Sequence, residues 1–143
     1  MKKILISIIV LIVLGVGYWL ISPLWRTVAL DEKVPVATSA DAVLGKGIMV
    51  AKEHEVAGDA SFVKSGADTF LRFENLKTIN GPDLRIYLAS SLDAKDFVDL
   101  GPIRATEGNV NYKIPAGTDL TKYKYAMIWC KAFSVLFSYA EIK

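Results

Sequence analysis

Cys130 is the only cysteine in the chain and His54 the only histidine, and they stand 76 residues apart. A thiolate can act as nucleophile, redox centre or soft ligand, and an imidazole is the base or second ligand that would serve it. Cys130 ends the run YKYAMIWC behind Ile128 and Trp129. A lone cysteine in such a strand reads first as a small buried hydrophobe; a reactive or cofactor-bound thiol and an intermolecular disulfide stay open. His54 lies in AKEHEVAG ahead of a glycine-containing turn. There a polar surface role is the first reading and a site role the second.

Other chemistries find less support. No CxxC, HxxxH or HExxH spacing exists, so no dedicated zinc site is expected. Asp93, Asp96 and Asp99 repeat every three residues without the glycine of a calcium loop, which suits a solvated turn. GxSxG is absent, and Gly45-Lys46-Gly47 lacks the rest of a phosphate loop. No hydrolase constellation is visible. Met49 and Met127 are soft potential ligands, but each falls within a strand, where packing is the default. Tyr123, Tyr125, Trp129, Phe133, Phe137 and Tyr139 crowd the last segments, and core packing in adjacent strands is their first explanation.

The elements that must position these residues are short and β-rich. TFLRFENL sets Phe70, Arg72 and Glu74 on one side and Leu71, Phe73 and Asn75 on the other, with Leu71 and Phe73 the expected core pair. Asn80-Gly81-Pro82-Asp83 marks a turn into DLRIYLAS, where Ile86 and Leu88 share a face opposite Arg85 and Tyr87. Strands are also expected over GKGIMVAKE, ASFVKS and Asn109 to Pro115, the last with Val110, Tyr112 and Ile114 on one side. YKYAMIWC and FSVLFSYAEI are the final pair, joined by Lys131-Ala132. SLDAKDFVDL reads as one helical turn with Ser91 as N-cap, broken at Gly101-Pro102. About eight strands separated by turns predict an all-β fold, an antiparallel sandwich or jelly-roll-like domain.

A different kind of segment precedes this domain. The hydrophobic fraction of 52% is inflated by Ile4 to Ile21, which carries no charge. Eighteen helical residues reach about 27 Å, close to a bilayer's hydrocarbon core. Lys2 and Lys3 flank one end and Tyr18, Trp19 and Trp25 the other, which predicts a cytoplasmic N-terminus and an extracytoplasmic domain. A cleaved signal peptide is the alternative; its apolar core is ordinarily shorter. The expected layout is an anchor over 1–22, a juxtamembrane linker over 23–44 and a β domain over 45–143, with Trp25 and Arg26 along the headgroups. The domain carries 13 basic and 12 acidic residues, too even a balance for a nucleic-acid partner. One cysteine allows no internal disulfide, so the fold must stand on its core.

Several of these residues also carry a resemblance. Gly81-Pro82-Asp83-Leu84 with Ile86-Tyr87-Leu88 is similar to the GPDL-x-(V/I)-Y-L stretch of the DM13 domain family. Leu100-Gly101 and Gly108, Tyr112, Ile114 and Pro115 resemble its next block, and His54 with Gly58 fits its early H-x-x-x-G element. Tyr123, Ile128-Trp129-Cys130, Phe133, Phe137 and Ala140 resemble its C-terminal signature. The resemblance implies an extracytoplasmic β domain with a proposed role in electron transfer, centred on the cysteine matched by Cys130. It implies Cys130 as a bare thiol or haem ligand, with His54 as a second candidate cofactor contact, and a further extracytoplasmic protein as partner. The competing expectation is a non-catalytic cell-surface binding or adhesion domain with Cys130 in its core.

Overall fold

A computed structural model describes residues 2–21, 27–35 and 43–143. Helix α1 (Lys2–Ile21) is followed by β1 (Ala29–Asp31), β2 (Val43–Ile48), β3 (Val50–Ala51), β4 (Val56–Ser65), β5 (Asp68–Thr78), β6 (Leu84–Ala89), β7 (Phe97–Pro102), β8 (Glu107–Ile114), β9 (Tyr125–Cys130) and β10 (Val135–Glu141). The large apolar residues of α1 from Ile4 to Trp19 are exposed. That helix is long and apolar enough to cross a membrane. The expected headgroup contacts of Trp25 and Arg26 fall outside the described residues.

The strands form two five-stranded sheets, in the order β1-β8-β5-β4-β2 and β3-β10-β9-β6-β7. All pairings are antiparallel except β1 with β8. The alternation expected from sequence holds where it matters: Leu71 and Phe73 are fully buried, and Val110, Tyr112 and Ile114 point inward beside them. Ile86 and Leu88 meet them from the second sheet in one shared core. Burying one face of each sheet against the other is what makes a sandwich.

Five local readings change. GKGIMVAKE is not one strand: it breaks at buried Met49, whose amide donates to Gly58 O at 3.0 Å, so that β2 joins the first sheet and β3 the second. SLDAKDFVDL makes no helical turn. Ser91 Oγ instead donates to Asp93 Oδ1, and residues from Phe97 become β7 by pairing with β6. Gly101, expected to break that segment, sits inside β7 at a bulge with φ of 110°. Ala29–Asp31, within the expected linker, pairs with β8. The last hairpin turns over residues 131–134, so Phe133 is a turn residue and not a strand residue.

Strand register defines two ends of the sandwich. Leu84, Pro102, Cys130 and Val135 lie at one end of the second sheet. Val56, Thr78 and Glu107 lie at the matching end of the first, joined to it by the short 79–83 and 103–106 connections. Ala29 pairs with Glu107 there, so the chain arriving from α1 enters at the Cys130 end.

Candidate functional site

Cys130 closes β9, opposite Leu84 on one side and Val135 on the other. Its side chain is fully buried in the shared core, and the thiol donates to Pro82 O at 3.1 Å. That carbonyl belongs to the Asn80–Asp83 turn. Gly81 is needed there: a Cβ would lie 2.9 Å from Phe137 Cζ and 3.2 Å from Leu84 Cδ2. Asp83 adopts a left-handed φ of 50°, which short polar side chains tolerate, and its carbonyl accepts the Lys131 amide at 3.0 Å. The turn is thus bonded both to the sulfur and to the amide that follows it.

His54 reaches the same end from the loop after β3. Its ring packs on Phe137 with centroids 4.0 Å apart and planes tilted by 55°, and its amide points at Phe137 O at 3.4 Å. Phe137 therefore stands between His54 on one side and the Gly81 turn on the other. No described hydrogen bond joins His54 to the thiol. The structure brings the two candidates to one end of the sandwich, bridged by packing and not by a shared polar contact.

Among the described hydrogen bonds, neither Lys124 nor Lys131, the lysines nearest Cys130 in sequence, engages the thiol. Lys124 Nζ is held by Glu141 Oε1 at 2.7 Å at the far end of the sheet, and the Lys131 side chain is exposed. Nor does the packing around Cys130 suit a haem. The sulfur is engaged by a backbone carbonyl, and Phe137 and Leu84 already crowd the turn above it. The two described cavities lie at the opposite end, one beside Asp68, Lys113 and Pro115, the other beside Gly45, Lys124 and Ile142. Among the described residues no group of three His, Cys, Asp or Glu side chains could hold a metal ion.

A feature missed in sequence lies on the outer face of the second sheet. Tyr87 stacks on Phe97 at 4.1 Å and 18° and lies 6.3 Å from Trp129 at 24°. Tyr125 and Tyr139 meet edge to face at 6.3 Å, with Met127 and Leu136 in the same cluster. Of the aromatic set expected in the core, Phe137 is inside, whereas Tyr125, Trp129 and Tyr139 build this outer patch. The missed signal was parity: Tyr125, Met127 and Trp129 alternate with Ala126, Ile128 and Cys130, and the second set faces the core. Beside the patch, Arg85 clamps Asp99 at 2.8 and 3.0 Å. The Asp99 hydrogen bond raises the guanidinium's affinity for its proton. Burial pushes the Tyr87 phenol up, Asp99 adds to this and Arg85 opposes it.

The residues that carried the resemblance make the contacts of the Cys130 end: Gly81, Pro82 and Asp83 form the cover, and Phe137 carries His54. Gly58 takes a φ of 111° where a Cβ would lie 2.6 Å from Glu74 O, and Tyr112 Oη accepts the Arg104 amide at 2.8 Å. The family model described as "Electron transfer DM13" matches residues 49–142. No curated protein and no solved structure matches the chain.

Proposed function

Because the chain belongs to the DM13 electron-transfer family, we propose that it is a membrane-anchored, extracytoplasmic redox module that uses Cys130 as its thiol. The observation that supports this reading is the convergence of the signature residues on one sulfur: the Gly81–Asp83 turn accepts the thiol through Pro82 O and the next amide through Asp83 O, and it packs on Phe137. Opening of a turn is far less costly than unfolding a sandwich, so such a thiol is guarded and not locked away. The chemistry that suits it is exchange with a disulfide on an extracytoplasmic partner. The thiol loses its proton to solvent, and the thiolate attacks one partner sulfur. A new S–S bond forms as the partner's bond breaks, and the departing sulfur takes up a proton. Cys130 is oxidised and one partner sulfur reduced, with no further reactant. His54 serves by packing, holding Phe137 against the turn.

The test is a mass spectrum of the full chain in detergent micelles after incubation with glutathione disulfide. A Cys130 adduct under native conditions supports the redox reading. An adduct that appears only in denaturant sinks it.

One observation favours a second reading. The thiol is fully buried and hydrogen-bonded, while Tyr87, Phe97 and Trp129 form an aromatic cluster on the outer face of the second sheet, with Phe97 exposed. A cell-surface binding domain would use that patch and keep Cys130 as core. Capture of an extracytoplasmic partner that survives Cys130→Ala but is lost on Trp129→Ala would establish it.

A further inference from the structure

The join between α1 and the sandwich is short. Val28 is already fixed in the domain: its amide donates to Thr106 Oγ1 at 2.9 Å, and its carbonyl accepts the Thr106 and Glu107 amides at 2.8 and 3.2 Å. Seven Cα steps separate Ile21 from Val28, which cannot span more than about 25 Å by any path. Strand β5, with 11 residues, is about 37 Å long. The tether is thus shorter than the sandwich, and it attaches at the Cys130 end. An anchor in the bilayer therefore keeps that end within about 25 Å of the lipid.

The same end displays apolar side chains. Phe133, at the tip of the 131–134 turn, is 70% exposed, and Ile79, in the turn connection beside it, is 48% exposed. The two turns are tied together through the Lys131 amide and Asp83 O. Exposed Lys52 and Lys131 are matched there by exposed Glu53, Glu55 and Asp83, so charge gives no net pull toward anionic lipid. Apolar contact is the available attraction, and aromatic side chains favour the headgroup boundary.

We propose that the Cys130 end of the sandwich docks on the membrane that α1 spans, with Phe133 and Ile79 entering the headgroup layer. The occupant of this surface is the chain's own bilayer, and the proposal rests on the anchor reading above. Docking sets the Gly81–Asp83 cover toward the headgroup layer, so a partner reaches Cys130 along the membrane surface.

The test uses the full chain reconstituted in phosphatidylcholine vesicles with acyl chains brominated close to the headgroup. Phe133→Trp adds a fluorophore at the docking end, and Ala116→Trp adds one on the exposed turn at the opposite end. Emission of the unsubstituted chain is subtracted in each case. The expected result is quenching of the Trp at 133 at least about twofold stronger than at 116, unchanged by high salt. Equal quenching at the two positions in chains that float with the vesicles after an alkaline wash overturns the docking and leaves the anchor standing. Chains that do not float overturn both.

Discussion

Replacing Cys130 by alanine measures how firmly the sulfur is built into the core. Its side chain is fully buried and its thiol bonds Pro82 O at 3.1 Å. Removing the sulfur forfeits the transfer of roughly one methylene equivalent, about 0.8 kcal/mol. The void left, on the order of 20 Å³, adds about 0.5 kcal/mol where the surroundings do not collapse. Leaving the Pro82 carbonyl without its weak S–H donor adds on the order of 0.5 kcal/mol. The sum is about 2 kcal/mol, which at an ordinary slope for a domain of this size moves the urea midpoint down by about 1 M. Urea titration of the β signal by circular dichroism, in micelles for both chains, reads the shift. A change below about 0.3 M would refute the packing argument, because no fully buried, bonded sulfur is removed so cheaply.

Gly81→Ala forces the Phe137 ring or the turn to move, since the new Cβ would sit 2.9 Å from Phe137 Cζ. The expected cost is about 1–2 kcal/mol, with faster native labelling of Cys130 by a thiol reagent. Gly108→Ala puts a side chain at a φ of 102° and onto the Leu30 carbonyl oxygen, so β1 should leave β8. Trypsin cleavage after Lys33 in the native protein should accelerate by tenfold or more, on the order of 1.4 kcal/mol of lost docking. Acid should loosen the far end. The Lys122 hydrogen bond, then that of Tyr123, holds the Asp96 carboxyl below its usual range. Its contribution is therefore present above the ordinary carboxylate pKa and is lost as pH falls below about 4, read as faster amide exchange in residues 90–96. Alkali acts on the core instead. Burial pushes the Tyr112 phenol up, so the folded state holds that proton longer than the unfolded one. Thermal midpoints should hold below pH about 10 and fall above it.

Much of the sandwich was legible because period-two alternation reports a sheet with one buried face. That ground makes Leu71 and Phe73 a core pair and puts Ile86 and Leu88 on one face, and all four are buried. Alternation does not say when a strand changes sheet, so the break at Met49 was hidden. Nor does it reveal a three-residue strand such as Ala29–Asp31, whose pairing comes from Val28, Asp31 and Glu32 contacts made about 78 positions away. Ser91 and Asp93 satisfy each other locally, which resembles a helix cap in sequence but closes a turn. Cys130 and His54 stand out as candidates by residue type alone. That a proline carbonyl would accept the thiol's hydrogen bond, and that Phe137 would stand between the two, depends on three separate segments meeting at one end. No spacing encodes that meeting.

The proposed redox role requires that Cys130 be guarded by a turn and not sealed by the whole fold. The most direct measurement is the rate of thiol modification of the full chain across low urea concentrations, set beside its global unfolding free energy. A guarded thiol reacts through local opening, with a rate almost independent of urea and an opening free energy several kcal/mol below that of unfolding. A rate that rises with the full unfolding slope from zero urea upward would contradict the account and leave Cys130 a structural residue.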